Sequence, residues 1–313
     1  MKFTDGYWLL RNGVEAHYAV QAYDVEKFMD ESGFDALRVY APERRIRDRG
    51  DTLNGGLLTI EYSSPAPDLI KVCMYHFSGN MTQSPKFDLK YRFMQDFKPE
   101  VEIYGNSTAD KLSTITRAPD QINKIDESGT PSEISAWACL RSGALSVQIP
   151  LDGDDWNPRF MAADELLTAC DAKSTGYSRY NDTTYMHEML RLVPGTLVYG
   201  MGERFGPFIK NGQSVDIWNK DGGTSSEQAY KNVPFYLTNR GYGIFVNHPG
   251  LVSFEVASEK ISRVQFSVEG EALEYFIIYG PSPRDILKKY CNLSGMPALP
   301  PAWSMGLWLT TSF

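Results

Sequence analysis

A β-sandwich is the fold this sequence predicts, on three observations. The first is a set of short runs rich in β-branched and aromatic residues. Leu57–Tyr62 and Leu69–Phe77 are two of them, separated by Ser63-Ser64-Pro65-Ala66-Pro67-Asp68, so they read as strand, turn, strand. The second is a series of such runs joined by Gly and Asn turns. Val233–Thr238 passes through Asn239-Arg240-Gly241 to Tyr242–Val246, and Val252–Val256, Val264–Val268 and Leu273–Tyr279 follow closely; many short strands with such turns imply a sandwich. The third is an aromatic content of 13%, which suits a β-rich core or a sugar-facing surface.

Within the last series, Val252–Val256 and Val264–Val268 alternate apolar and polar residues. That pattern predicts a sheet with one buried and one wet face. The middle of the chain, about residues 80–179, is more polar and less informative; Ala144–Ile149 is one further strand there, among loops such as Asp126–Gly129 and Asp152–Asp155. After the strands the character changes. Ser282-Pro283-Arg284-Asp285 carries a serine N-cap and a proline at the first helical position. Ile286, Leu287 and Tyr290 form the expected apolar face of a short helix ending near Leu293-Ser294-Gly295. Pro297, Pro300 and Pro301 make the next segment a stiff linker. Trp303–Leu309 is an almost uninterrupted apolar run, expected to be a strand buried on both faces. With the sequence ending at Phe313, that run looks like the opening of a second domain. The expected organisation is a sandwich over 1–281, a helix and linker over 282–301 and the start of another domain over 302–313.

Composition excludes several function classes. The 313 residues carry 31 basic and 39 acidic side chains, a formal net charge of -8, whereas phosphate binding needs clustered Lys and Arg. The one basic cluster, Arg44-Arg45-Ile46-Arg47-Asp48-Arg49, contains an aspartate and reads as a solvated strand edge. No nucleic-acid or membrane partner is expected, since no stretch approaches the roughly 20 apolar residues of a membrane helix. The start, Met1–Gly6, lacks an apolar signal-peptide core, which points to a cytoplasmic protein. Cys73, Cys139, Cys170 and Cys291 are scattered without CxxC pairs, so reduced thiols are expected and neither a zinc site nor any cofactor.

Longer motifs carry a resemblance. Val198-Tyr199-Gly200-Met201-Gly202-Glu203-Arg204-Phe205-Gly206 resembles the Y-G-x-G-E-R-F pattern of glycoside hydrolase family 31. The block Ile217–Tyr236, containing Trp218-Asn219-Lys220-Asp221-Gly222-Gly223, resembles the α-xylosidase branch of that family rather than the α-glucosidase branch. Pro297–Trp308 is similar to the linker that enters the family's catalytic barrel, and Leu309–Phe313 again resembles the α-xylosidases. The resemblance implies a galactose-mutarotase-like β-sandwich followed by a (β/α)8 barrel. It implies a retaining hydrolase of terminal α-linked xylose with two catalytic aspartates on the barrel, past the first strand. No catalytic residue and no metal ligand is therefore assigned here. A small carbohydrate, an α-xyloside, is the implied partner, and a homo-oligomer the implied assembly of the full-length enzyme.

Three residues are carried over as substrate-contacting. Asp221 matches a sandwich-loop aspartate that reaches the active-site mouth, Phe313 the aromatic at the end of the first barrel strand, and Trp218 supports the Asp221 loop. Taken alone, Asp221-Gly222-Gly223 is simply a turn and Phe313 a core aromatic. Glu203-Arg204 is expected to be a structural ion pair, and His76, His187 and His248 structural residues. A stand-alone carbohydrate-binding module, the same region of an α-glucosidase, and an aldose epimerase are the alternatives. The last needs a His and a Glu converging on an anomeric carbon, and no such pairing is evident on neighbouring strands.

Overall fold

The computed structural model describes residues 1–5, 9–76, 86–89, 97–105, 122–125, 131–134, 136–151, 155–219 and 231–309. Their strands form three principal antiparallel sheets and one isolated hairpin, Ile122–Ile125 with Pro131–Ile134. The eight-stranded sheet runs in the order Val198–Gly200, Phe235–Thr238, Tyr242–Val246, Ala272–Tyr279, Leu69–Tyr75, Leu57–Ser63, Asp35–Pro42, Asp24–Met29. Facing it, a six-stranded sheet runs Val14–Tyr18, Gly176–Tyr180, Thr183–Arg191, Arg263–Glu269, Val252–Val256, Gln213–Ile217. The polar middle of the chain supplies the third, five-stranded sheet: Glu165–Ala169, Arg159–Ala162, Leu145–Pro150, Trp137–Ser142, Glu100–Tyr104.

Period two explains which residues meet. Val252, Phe254 and Val256 on one strand and Val264, Phe266 and Val268 on its partner pair in register. They join Leu58, Ile60, Tyr62, Leu273, Tyr275 and Ile277 of the opposing sheet in one core, and each fully buried side chain of this size stabilises the fold by about 1.5–3 kcal/mol. Leu140, Leu145, Val147 and Phe160 extend that core into the third sheet.

The sheet carrying Val252–Val256 and Arg263–Glu269 is not wet on its outer side, contrary to the alternation. Ser253, Glu255, Gln265 and Ser267 are all buried. The first residues of the chain lie across them. The Met1 ammonium bonds Ser253 Oγ and sits 3.8 Å from Glu255 Oε1, and Gln265 Nε2 donates to the Met1 carbonyl at 3.0 Å. Glu259 Oε1 accepts the backbone N–H groups of Phe3 and Thr4 at 2.9 and 2.7 Å. Phe3 then packs on the buried His187, with ring centroids 5.4 Å apart. The N-terminal residues supply partners for part of this face, while Gln265 Oε1 and Ser267 Oγ stay buried without one, and periodicity cannot show what covers it.

Helix α1 spans Pro283–Ser294, with the Ser282 side chain accepting from Asp285 N and proline at the first position. It seals the outer face of the eight-stranded sheet. Ile286 and Leu293 insert among Leu69, Phe235, Phe245, Phe276 and Ile278, and Tyr290 stacks on Phe235 at 4.2 Å. Leu287, expected on that face, is exposed, and Leu293 takes its place. The i, i+4, i+7 positions of Ile286 define the buried stripe, and Leu287 lies off it.

Trp303–Leu309 forms no strand. Ala302–Met305 closes a single 3-10 turn, with Ser304 N–H donating to Pro301 O at 2.9 Å, and Leu307–Leu309 are exposed. A strand exists by pairing its backbone groups, and none of the described strands pairs with this run. The basic cluster is likewise no strand edge. It follows the strand Asp35–Pro42 as a turn, where Asp48 caps the 3-10 helix Arg49–Thr52 and Arg45 pairs with Asp155 at 3.0 Å. All four cysteines are free thiols, and burial pushes Cys73 and Cys139 up to about 11.

Candidate functional site

The Y-G-x-G-E-R-F block is a device for holding the base of a loop. Gly202 has φ +90°, and a Cβ there would sit 1.9 Å from Lys231 O, so only glycine lets the two backbones meet. Glu203 N–H then donates to Lys231 O at 2.9 Å. Arg204 turns inward: Nε donates to Met201 O at 3.1 Å, and Nη2 to Asp216 O at 2.6 Å and to Asn232 Oδ1. Asn232 Nδ2 donates to Trp218 O at 3.0 Å and to Asn219 Oδ1 at 2.7 Å. The ion pair expected between Glu203 and Arg204 does not form: Glu203 pairs instead with the exposed Lys231 at 2.8 Å, because Arg204 is turned to the backbone and Asn232. Arg204 and Asn232 tie the outgoing stem, Asp216–Asn219, to the returning stem, Lys231–Asn232. Asp221, between those stems, and Phe313 lie outside the described residues.

Trp218 stands at this base, about half exposed, on the rim of a cleft of about 330 Å³. Phe87 contributes a second aromatic face, Pro234 and Pro249 apolar walls, and Asn219, Asn232 and His248 the polar groups. Phe87 is set by a buried polar chain. Its N–H donates to Asn247 Oδ1 at 3.0 Å, Asn247 Nδ2 donates to Glu274 Oε1 at 2.6 Å, and Lys86 pairs with Glu274 Oε2 at 2.7 Å. His248 follows on the turn out of Tyr242–Val246. Gly250 N–H donates to its Nδ1 at 3.1 Å, and a Cβ on Gly250 would lie 2.8 Å from His248 Cε1. Burial lowers the imidazole pKa below its ordinary value, and because Nδ1 accepts from Gly250 N–H, the neutral ring carries its proton on Nε2. Flat aromatic walls with a few fixed polar groups are the usual lining of a small-ligand site.

A second cluster lies at the edge of the six-stranded sheet. His17 pairs with Glu43 and His76 with Glu271, each at 2.8 Å, and both imidazoles pack on Tyr177 with centroids at 4.6 and 3.9 Å. Tyr177 OH donates to Glu43 Oε1 at 2.6 Å. The structure thus holds two His–Glu pairs, with the glutamates supplied by loops rather than by neighbouring strands. Val14–Tyr18 pairs with Gly176–Tyr180 so that His17 faces Tyr177, while Glu43 and Glu271 arrive from distant loops. Each carboxylate is engaged by its own imidazole rather than set against the other across an open gap. His187 is a core residue: burial lowers its pKa to about 4.

These features define a β-sandwich with a cleft of about 330 Å³ beside two stems, Asp216–Asn219 and Lys231–Asn232, held together by Arg204 and Asn232. Residues 59–255 match the description Glycosyl hydrolase 31 N-terminal galactose mutarotase-like domain, and the chain belongs to that family. It is 42% identical over 315 residues to the alpha-xylosidase XylQ of Lactiplantibacillus pentosus, covering 100% of this chain and 36% of that protein. It is 40% identical over 317 residues to an alpha-xylosidase of Emericella nidulans, covering 100% of this chain and 38% of that protein. The chain thus spans little more than a third of the length of these curated relatives. Among solved structures, a cycloalternan-forming enzyme from Listeria monocytogenes in complex with a pentasaccharide substrate superposes with a TM-score of 0.65 at 17% identity, over 94% of this chain and 24% of that one. That likeness is one of fold.

Proposed function

We propose that this chain is the N-terminal part of a retaining α-xylosidase that removes terminal α-linked xylose from xylosides or xyloglucan oligosaccharides. The observation that carries the proposal is the end-to-end match to two α-xylosidases at 42% and 40% identity. The clamped loop base and the aromatic cleft support it. In this reading the chemistry belongs to two carboxyl groups about 5–5.5 Å apart, one attacking the anomeric carbon and one protonating the leaving oxygen. Both belong to the barrel that the resemblance implies. This chain contributes part of the substrate-facing rim: from the sandwich, Trp218 an aromatic face and Asp221 an acceptor for sugar hydroxyls, and from the implied first barrel strand, Phe313 a platform for the leaving-group sugar.

Two assays test the reading. The chain alone is expected to release no nitrophenol from 4-nitrophenyl α-xyloside above a buffer blank. A polypeptide carrying this chain and the rest of its relatives' length is expected to hydrolyse the α-xyloside faster than the α-glucoside. A preference for the glucoside would overturn the substrate assignment, and turnover by the chain alone would overturn the division of labour.

A further inference from the structure

We propose that His248 is a ligand-contacting residue whose Nε2–H donates a hydrogen bond to an oxygen of a pyranose lying in the Trp218 cleft. The assignment rests on the carbohydrate reading above and adds to it a specific polar contact. Four observations converge on it.

First, the side chain is more than nine-tenths buried, at 8% exposure, so its position is fixed by packing. Second, Gly250 N–H occupies Nδ1, which leaves the proton on Nε2 and makes that atom a donor. Third, Nε2 has no hydrogen-bond partner among the described residues and is not among the enclosed unpartnered atoms, which include Nε2 of His17 and His187. The space beside this imidazole is the cleft that His248 lines with Trp218 and Phe87. Fourth, the turn is built around this imidazole. Gly250 admits the ring at a distance no Cβ would allow, and the Asn247–Glu274–Lys86 chain fixes the preceding residue. A buried group normally has its hydrogen bonds satisfied. Here one donor is preorganised toward a ligand-sized space, while the other polar walls, Asn219 and Asn232, are engaged by one another.

The chemistry of the cleft selects the ligand class. Two aromatic faces and two prolines suit the C–H face of a sugar ring, and a neutral imidazole N–H suits an uncharged oxygen. A pyranose offers both.

The test uses the 313-residue chain labelled with 15N at histidine and tryptophan side chains. Methyl α-D-xyloside is titrated in, with methyl α-D-glucoside as a second arm. The expected result is a saturable shift of the His248 Nε2 and Trp218 indole resonances, with no shift at His187. His248→Phe keeps a flat ring but has no donor, and is expected to raise the Kd by at least about tenfold, the equivalent of 1.4 kcal/mol. His248→Gln, which restores an N–H, is expected to recover part of the affinity. A Trp218 shift with no His248 shift, or an unchanged Kd in His248→Phe, would overturn the assignment. So would the absence of any shift with either sugar, and if the longer polypeptide still cleaved the xyloside the proposed function would stand without it. A His248 shift with the glucoside but not the xyloside would keep the contact and overturn the substrate.

Discussion

The cleft at Trp218 and the cluster at Tyr177 both combine aromatic rings with imidazoles, and they differ in whether an unpartnered polar atom is enclosed, as His17 Nε2 is, or stands beside a ligand-sized space. At Tyr177 each imidazole has its own carboxylate and the tyrosine hydroxyl takes the remaining oxygen of Glu43. That arrangement ties Val14–Tyr18 to the loop after Asp35–Pro42 and ties the strand ending at Tyr75 to the turn at Glu271. At Trp218 the polar side chains that are satisfied serve to fix the loop stems, and the aromatic faces and one imidazole N–H are left for something else. Chemical composition does not separate a structural cluster from a binding site; the accounting of partners together with what space the unpaired atoms face does.

If that distinction holds, satisfied networks govern stability and the cleft does not. The largest effect is expected at Glu188, buried in the core. Its carboxyl accepts from the Thr175 hydroxyl at 2.9 Å and from Met189 N–H at 2.9 Å, and burial raises its pKa to about 7. A carboxyl that holds its proton more tightly when folded is stabilising at low pH. The benefit is lost as pH rises from the unfolded value near 4.5 through about 7. Buried His187, lowered to about 4, contributes in the opposite sense over the same range, so the Glu188 contribution is read as a difference. Between pH 4.5 and 8 the urea-unfolding stability of the parent is expected to fall by about 3 kcal/mol relative to that of Glu188→Gln, from a shift of roughly two to three pH units. Next comes Gly202→Ala. The Cβ collides with Lys231 O and the positive φ is strained, so a cost of about 2–3 kcal/mol is expected by the same measurement, with weakened sugar binding. Tyr177→Phe removes one hydrogen bond to a carboxylate, for about 1–2 kcal/mol of stability, and sugar affinity should be unchanged. Smallest is Trp218→Ala, where a half-exposed ring is lost. Its melting temperature is expected to stay close to that of the parent, within about 0.5 kcal/mol of stability.

The strands of the last third were legible because their residues obey period two between clear turns. Val252–Val256, Arg263–Glu269 and Ala272–Tyr279 fall within a residue or two of their expected limits. The helix was legible from its cap, Ser282 with Pro283. What covers a surface was not legible. The N-terminal residues cover Ser253, Glu255 and Gln265 through the Met1 ammonium and carbonyl, contacts that leave no periodic trace. An apolar run such as Trp303–Leu309 reports that burial is needed, without supplying the partner that makes it a strand. The Y-G-x-G-E-R-F block was visible as a motif, but its role was not. Gly202, Arg204 and Asn232 meet only once residues some thirty positions apart are folded together. In sequence His248 reads as structural, because one histidine without a nearby partner gives no sign of which nitrogen its fold leaves unbonded. The signal that could have pointed to it is the neighbouring Pro249-Gly250 turn, which brings a backbone N–H back onto the ring.

Steady-state kinetics of two variants tests the division between these regions most directly. In a polypeptide of the relatives' full length, Trp218→Ala is expected to lower kcat/KM for 4-nitrophenyl α-xyloside by about tenfold or more, an aromatic stacking contact of the order of 1.4 kcal/mol. Tyr177→Phe is expected to leave it within about twofold while lowering the urea midpoint. Equal or reversed losses, with Tyr177→Phe impairing turnover and Trp218→Ala not, would contradict the placement of the sugar at the Trp218 cleft.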